Sequence, residues 1–111
     1  MPRPVLAYHV ILCNYGFWLP NDPRGSWSTF VRAPNIRRHG PATFVGTRTS
    51  VASRPHDSER RQRAKRDLVR PAVELTGRQA LSVAHGFADR IRGCGYTVYA
   101  CAILPDHSHL V

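Results

Sequence analysis

Apolar residues come in distinct patterns along the chain, and each pattern predicts an element. Val5-Leu6-Ala7-Tyr8-His9-Val10-Ile11-Leu12-Cys13-Asn14-Tyr15 is rich in β-branched and aromatic residues and stops at Gly16, which predicts a strand. So few polar breaks fit a central strand. Gly16 to Trp27 is dense in turn formers and holds both tryptophans, and Asn21-Asp22-Pro23-Arg24-Gly25 can continue neither helix nor strand. A loop is expected there. Phe30 to His56 carries Pro34, Pro41 and Pro55 with scattered arginines and no period, so no element is assigned and residues 28–57 are expected to be an irregular or disordered insertion.

Ser58 to Arg70 favours helix by propensity but offers almost no apolar face. Pro71 to Leu75 reads as extended, and Thr76-Gly77-Arg78-Gln79 matches a capping box that starts a second helix. Ala80, Ala84, Phe87, Ala88 and Ile91 give that helix one apolar face with Leu81 at its margin, and Gly93 and Gly95 end it. Tyr96 to Ile103 is a strand by composition, Pro105-Asp106 a turn, and His107 to Val111 a strand that can close an antiparallel hairpin. The order strand, long insertion, helix, strand, strand predicts one α+β domain over 1–111. Its expected form is a ferredoxin-like split β-α-β layer, an antiparallel sheet with a helix on one face, incomplete at the C-terminus.

Charge narrows the partners. Sixteen Lys and Arg against seven Asp and Glu give a formal net charge of +9, and Lys65 is the only lysine. Arginine's planar fork suits phosphate oxygens and stacks on bases, which favours nucleic acid over a membrane surface; a solvated basic surface is the alternative. Cys13, Cys94 and Cys101 are odd in number with no Cys-x-x-Cys pair, as expected of a reducing compartment. No stretch approaches the ~20 apolar residues of a membrane span, and no small-x-small cleavage site follows Met1–Phe17. A cytoplasmic protein is expected.

Candidate chemistry concentrates at the end of the chain. On a strand, His107 and His109 point to one face roughly 7 Å apart along the backbone, and two imidazoles so placed can grip one metal ion. A bare His-x-His pair is a weak signal, because histidines also pack on strands. His9 reads most simply as a packed sheet histidine, with a third-ligand role as its alternative. Ser108 is expected to point to the opposite, core side.

Pro105-Asp106-His107-Ser108-His109-Leu110 resembles the His-hydrophobic-His signature of the single-tyrosine HUH transposases, in particular the REP-associated tyrosine transposases, with Ser108 as a departure. Tyr15-Gly16-Phe17-Trp18-Leu19-Pro20-Asn21-Asp22-Pro23-Arg24-Gly25 is similar to a run these proteins carry after their first strand. The resemblance covers Tyr8–Arg24 and Leu75–Val111, the N-terminal portion of that domain. It implies a divalent cation, Mg²⁺ or Mn²⁺, on His107 and His109. It also implies hairpin-forming single-stranded DNA as partner, a possible homodimer, and phosphodiester cleavage and religation for DNA transposition by mobile elements. The nucleophilic tyrosine of the family follows the histidine motif, whereas Tyr8, Tyr15, Tyr96 and Tyr99 all precede it. The nucleophile is therefore expected beyond Val111, and the chain is expected to be an inactive or incomplete fragment.

Nucleic-acid contacts are expected from Trp18 and Trp27, as stacking platforms beside Arg24, and from Arg60, Arg61, Arg63, Lys65 and Arg66 on phosphates. A self-packed loop and a solvated helix are the structural alternatives for these two groups. Two other functions stay open: a noncatalytic basic nucleic-acid-binding module, and a small histidine-based metalloprotein.

Overall fold

The computed structural model describes all 111 residues, Met1–Val111. Its elements in chain order are β1 (Val10–Cys13), α1 (Pro34–Arg37), α2 (Ser58–Arg66), α3 (Gly77–Cys94), β2 (Cys101–Ile103) and β3 (His107–Leu110). The result is a small α+β fold with one three-stranded antiparallel sheet and three helices. None of its helices is long and apolar enough to cross a membrane. The chain divides into two compact units, one formed by Met1–Asn14 with Val73–Val111 and the other by Tyr15–Ala72.

In the first unit the strands lie in the order β1-β3-β2, and β3 pairs antiparallel with both neighbours. This corrects the expectation for the first strand: β1 is an edge, shorter than its apolar run, and the histidine strand is central. Strand pairing is non-local, so a run of β-formers marks a strand without marking its place in the sheet. The hairpin of β2 and β3 forms, with Ile103 opposite Ser108 and Cys101 opposite Leu110, but β2 is confined to the last three residues of the expected Tyr96–Ile103 strand.

Helix α3 begins where the capping box places it. Thr76 accepts from the backbone N–H of Gln79, while the Gln79 side chain accepts from the Thr76 N–H. It runs through Gly93 and ends at Gly95, whose φ of 70° is the left-handed cap that glycine adopts most readily. Ala80, Val83, Ala84, Phe87 and Ile91 are its half-buried positions and none of its residues is fully buried. These positions recur every three or four residues, with Val83 joining the face and Ala88, expected on it, exposed, so the amphipathic pattern holds but is only partly covered.

The second unit holds the core. Leu19, Ile36 and Ala64 form its buried cluster, flanked by Val31 and Leu68. Within 28–57, where the pattern assigns no element, Pro34 opens the single helical turn α1, and Ser26 bridges Phe44. Proline suits that first helical position, because its missing N–H would be unpaired there anyway. Helix α2 is capped by Asp57, which accepts from the Arg60 N–H. It does bury one residue, Ala64, completely. Asp67 at its C-terminal end joins α1 to α2, accepting from Arg38 and pairing with His39, while Asn35 donates to the Asp67 carbonyl. The hydrogen bonds from Arg38 and His39 hold the Asp67 carboxyl below its ordinary range.

Candidate metal centre and nucleic-acid contacts

Register decides what the histidine face contains. Directly paired residues in a sheet share a face and alternate residues change face. Ile11 pairs with His109 and Cys13 with His107, so His9, Ile11 and Cys13 fall on the side of the two histidines. Val10, Leu12, Cys101, Ile103, Ser108 and Leu110 fall on the other. Ser108 is 3% exposed on that second face, as its position implies.

The rings of His107 and His109 meet edge to face with centroids 4.7 Å apart. His9 joins them: its centroid lies 5.0 Å from that of His109, and its Nε2 is 2.8 Å from His109 Nδ1. Nδ1 of His107 is 2.6 Å from a carboxylate oxygen of Asp106. An ionised carboxylate only accepts, so the hydrogen in this contact sits on Nδ1 of His107. Burial, then the neighbouring charges of His107 and His9, hold the His109 imidazole below its ordinary pKa. Neutral imidazole is the form that ligates a metal.

The turn beneath these side chains is tied on two sides. Asn14 donates from its backbone to the Asp106 carbonyl at 3.0 Å and from its side chain to the Pro105 carbonyl at 3.0 Å. Leu75 donates its N–H to the same Pro105 carbonyl at 2.8 Å. Three bonds to two adjacent carbonyls fix the point from which β3 departs.

No three His, Cys, Asp or Glu side chains converge in metal-ligating geometry. The 2.8 Å between His9 and His109 is a hydrogen-bond distance. Two nitrogens sharing one ion at about 2.1 Å stand about 3.0–3.4 Å apart, as follows from the angle between ligands. The arrangement is thus a pair of imidazoles, each tied through Nδ1. Asp106 and His9 are the residues that sequence reasoning left without this role. For Asp106 the signal is its position just before a ligand-like histidine; His9 reads from the sequence as a packed sheet histidine or a third ligand, and its contact with His109 follows only from the register.

The expected nucleic-acid residues separate into two kinds. Trp18 and Arg24 belong to a self-packed loop: the guanidinium stacks 3.6 Å above the indole, and Asp22 accepts from its Nε at 3.1 Å and Nη2 at 2.9 Å. Asp22 is buried. Burial pushes its carboxyl up, but the side-chain and backbone hydrogen bonds from Arg24 and the charges of Arg24 and Arg61 outweigh this and hold it below its ordinary range. Trp18 therefore already has a cation on one face. Trp27, by contrast, is 84% exposed. On α2, Arg60, Arg63, Lys65 and Arg66 are exposed and Arg61 is half-buried, with Lys65 above the Phe17 ring at 5.1 Å. No family model, curated protein or solved structure matches this chain.

Proposed function

We propose that this chain is a transposase-like protein that binds single-stranded DNA and positions a backbone phosphate on a divalent cation held by His107 and His109. The observation that carries the reading is the pair of imidazoles side by side on one face of the central strand, 4.7 Å between centroids. Two nitrogen donors leave an ion room for water and phosphate oxygens, a mixed set that suits Mg²⁺ or Mn²⁺ better than a closed zinc site. Such an ion neutralises charge on the phosphate and orients it. The three-stranded antiparallel layer with α3 beside it is the front part of a ferredoxin-like fold in this reading.

The exposed cations of α2 supply sequence-independent attraction for the DNA backbone, and Trp27 supplies a surface on which a base can stack. Strand cleavage needs a nucleophile, and Tyr8, Tyr15, Tyr96 and Tyr99 do not match the position of the family's tyrosine. Phosphate binding by the histidine pair is the part of that chemistry proposed for these residues.

Fluorescence titration of single-stranded hairpin DNA tests this. Binding in Mn²⁺ is expected to weaken at least tenfold in EDTA, and replacing both His107 and His109 with Ala should remove the difference. Binding indifferent to EDTA but steeply salt-dependent would instead favour the noncatalytic basic module. A covalent protein–DNA adduct with Mg²⁺ or Mn²⁺ would overturn the assignment of the nucleophile.

A further inference from the structure

We propose that Asp106 and His9 are positioning residues that set the tautomers of His107 and His109, so that both imidazoles present Nε2 to the cation. The inference rests on the metal reading above and adds two residues to it. A ligand histidine commonly donates its second ring nitrogen to a carboxylate, carbonyl or other acceptor, which fixes ring orientation and raises ligand basicity. Both histidines of β3 have a partner at Nδ1, but by different means.

For His107 the partner is the carboxylate of the preceding residue, 2.6 Å away. Among the two neutral tautomers this contact selects the one with hydrogen on Nδ1, which leaves the lone pair on Nε2. For His109 the partner is another imidazole, His9 Nε2 at 2.8 Å, and the proton can belong to either ring. With the proton on His9, the lone pair of His109 is engaged at Nδ1 and its Nε2 carries hydrogen. With the proton on His109 Nδ1, His9 accepts and His109 Nε2 is ready to ligate. A cation held at His109 Nε2 would require the second state, in which His9 is the acceptor that stabilises the competent tautomer. The Asn14 and Leu75 bonds to the turn keep Asp106 in register with His107.

A direct third-ligand role for His9 would require its nitrogen to leave His109, and the two readings diverge in experiment. Mn²⁺ affinity can be read by the loss of the free-ion EPR signal, with circular dichroism checking that each variant is folded. H9A and D106A are expected to bind Mn²⁺ 10–100-fold more weakly than the unaltered chain. H9Q places an amide oxygen where it can accept from His109 Nδ1, and D106N keeps an acceptor for His107; each should recover most of the affinity. Nitrogen-15 NMR of the metal-free protein should show His107 protonated at Nδ1, and D106A should move that proton to Nε2. With Cu²⁺ as probe, pulsed EPR should count two coordinated imidazoles in both the unaltered chain and H9Q.

Affinity unchanged in H9A and D106A, failure of both conservative variants to recover it, or a third imidazole on Cu²⁺ would overturn the proposal. So would Nε2-protonated His107 in the metal-free chain, whatever the metal does. Absence of Mn²⁺ binding by the unaltered chain, with His107 still protonated at Nδ1, would remove the metal reading itself. The role of the two residues toward a cation would then fall with it.

Discussion

The two units of this chain invert what their sequences suggest. Met1–Asn14 with Val73–Val111 contains nearly all the clear hydrophobic patterning, yet Val10, Ile11, Leu12, Leu81, Tyr96, Tyr99 and Leu104 are exposed and no residue of α3 is fully buried. Tyr15–Ala72 has almost no periodicity, yet it contains the buried core hydrophobics Leu19, Ile36, Val51 and Ala64. Periodicity reports which face of an element is apolar. Burial depends on what else arrives at that face, and in the second unit single residues from a loop, one helical turn and a charged helix arrive together. The first unit is held by local caps and strand pairing, the second by a small core with ion pairs around it.

Large-to-small changes give the widest separation. Ile36→Ala removes a side chain that is 6% exposed, and is expected to destabilise the second unit by about 2–5 kcal/mol. Leu12→Ala, at 44% exposure, should lower the stability of the first unit by less than about 1 kcal/mol. Both tryptophans lie in the second unit, so urea titration followed by their fluorescence reads that unit, while amide exchange on β3 reads the other. Equal losses from the two substitutions would break the contrast.

Acid separates the units by window. His109 has a folded pKa below its ordinary 6.5, so the unfolded chain binds the proton more readily and stability present above pH 6.5 is lost as pH falls through the folded value. Asp22 and Asp67 are depressed below 3.8, so the same sign places their loss below about pH 3.8. Between those windows the amides of β3 should exchange faster while tryptophan fluorescence is unchanged. Asp22→Ala strands the Arg24 guanidinium without its carboxylate and is expected to remove about 1–3 kcal/mol at pH 7. Its acid transition should flatten, and that of the sheet unit should not move.

Legibility in the sequence follows the range of the interaction. The capping box at Thr76, the left-handed stop at Gly95 and the shared face of His107 and His109 are set by neighbours within a few residues, and all were readable. The central place of β3 was not, because His-Ser-His-Leu has weaker β character than Val10–Cys13, and pairing with residues 90 or more positions away decides the order. For the same reason the contact of His9 with His109 required the register. Ala64 was hidden in a different way: within Ser-Glu-Arg-Arg-Gln-Arg-Ala-Lys-Arg one alanine makes no stripe, yet a single methyl suffices where Leu19 and Ile36 already meet.

The smallest expected effect tests whether the sheet unit depends on local signals. Thr76 supplies an oxygen to the Gln79 N–H, and Gln79 returns one to Thr76, so Thr76→Ala deprives an otherwise orphaned amide of its partner and should cost about 1 kcal/mol. Aspartate caps as well as threonine or better, and glycine lets water reach the amides; Thr76→Asp should therefore be neutral or stabilising, and Thr76→Gly should lose only a few tenths of a kcal/mol. Helicity at 222 nm with α3 exchange rates reads the series. A unit whose helix lacks any fully buried residue has little packing to compensate a lost cap, so the order Asp, Thr, Gly, Ala should appear in full. A flat series would mean that the half-buried face from Ala80 to Ile91 holds α3 without help from its cap.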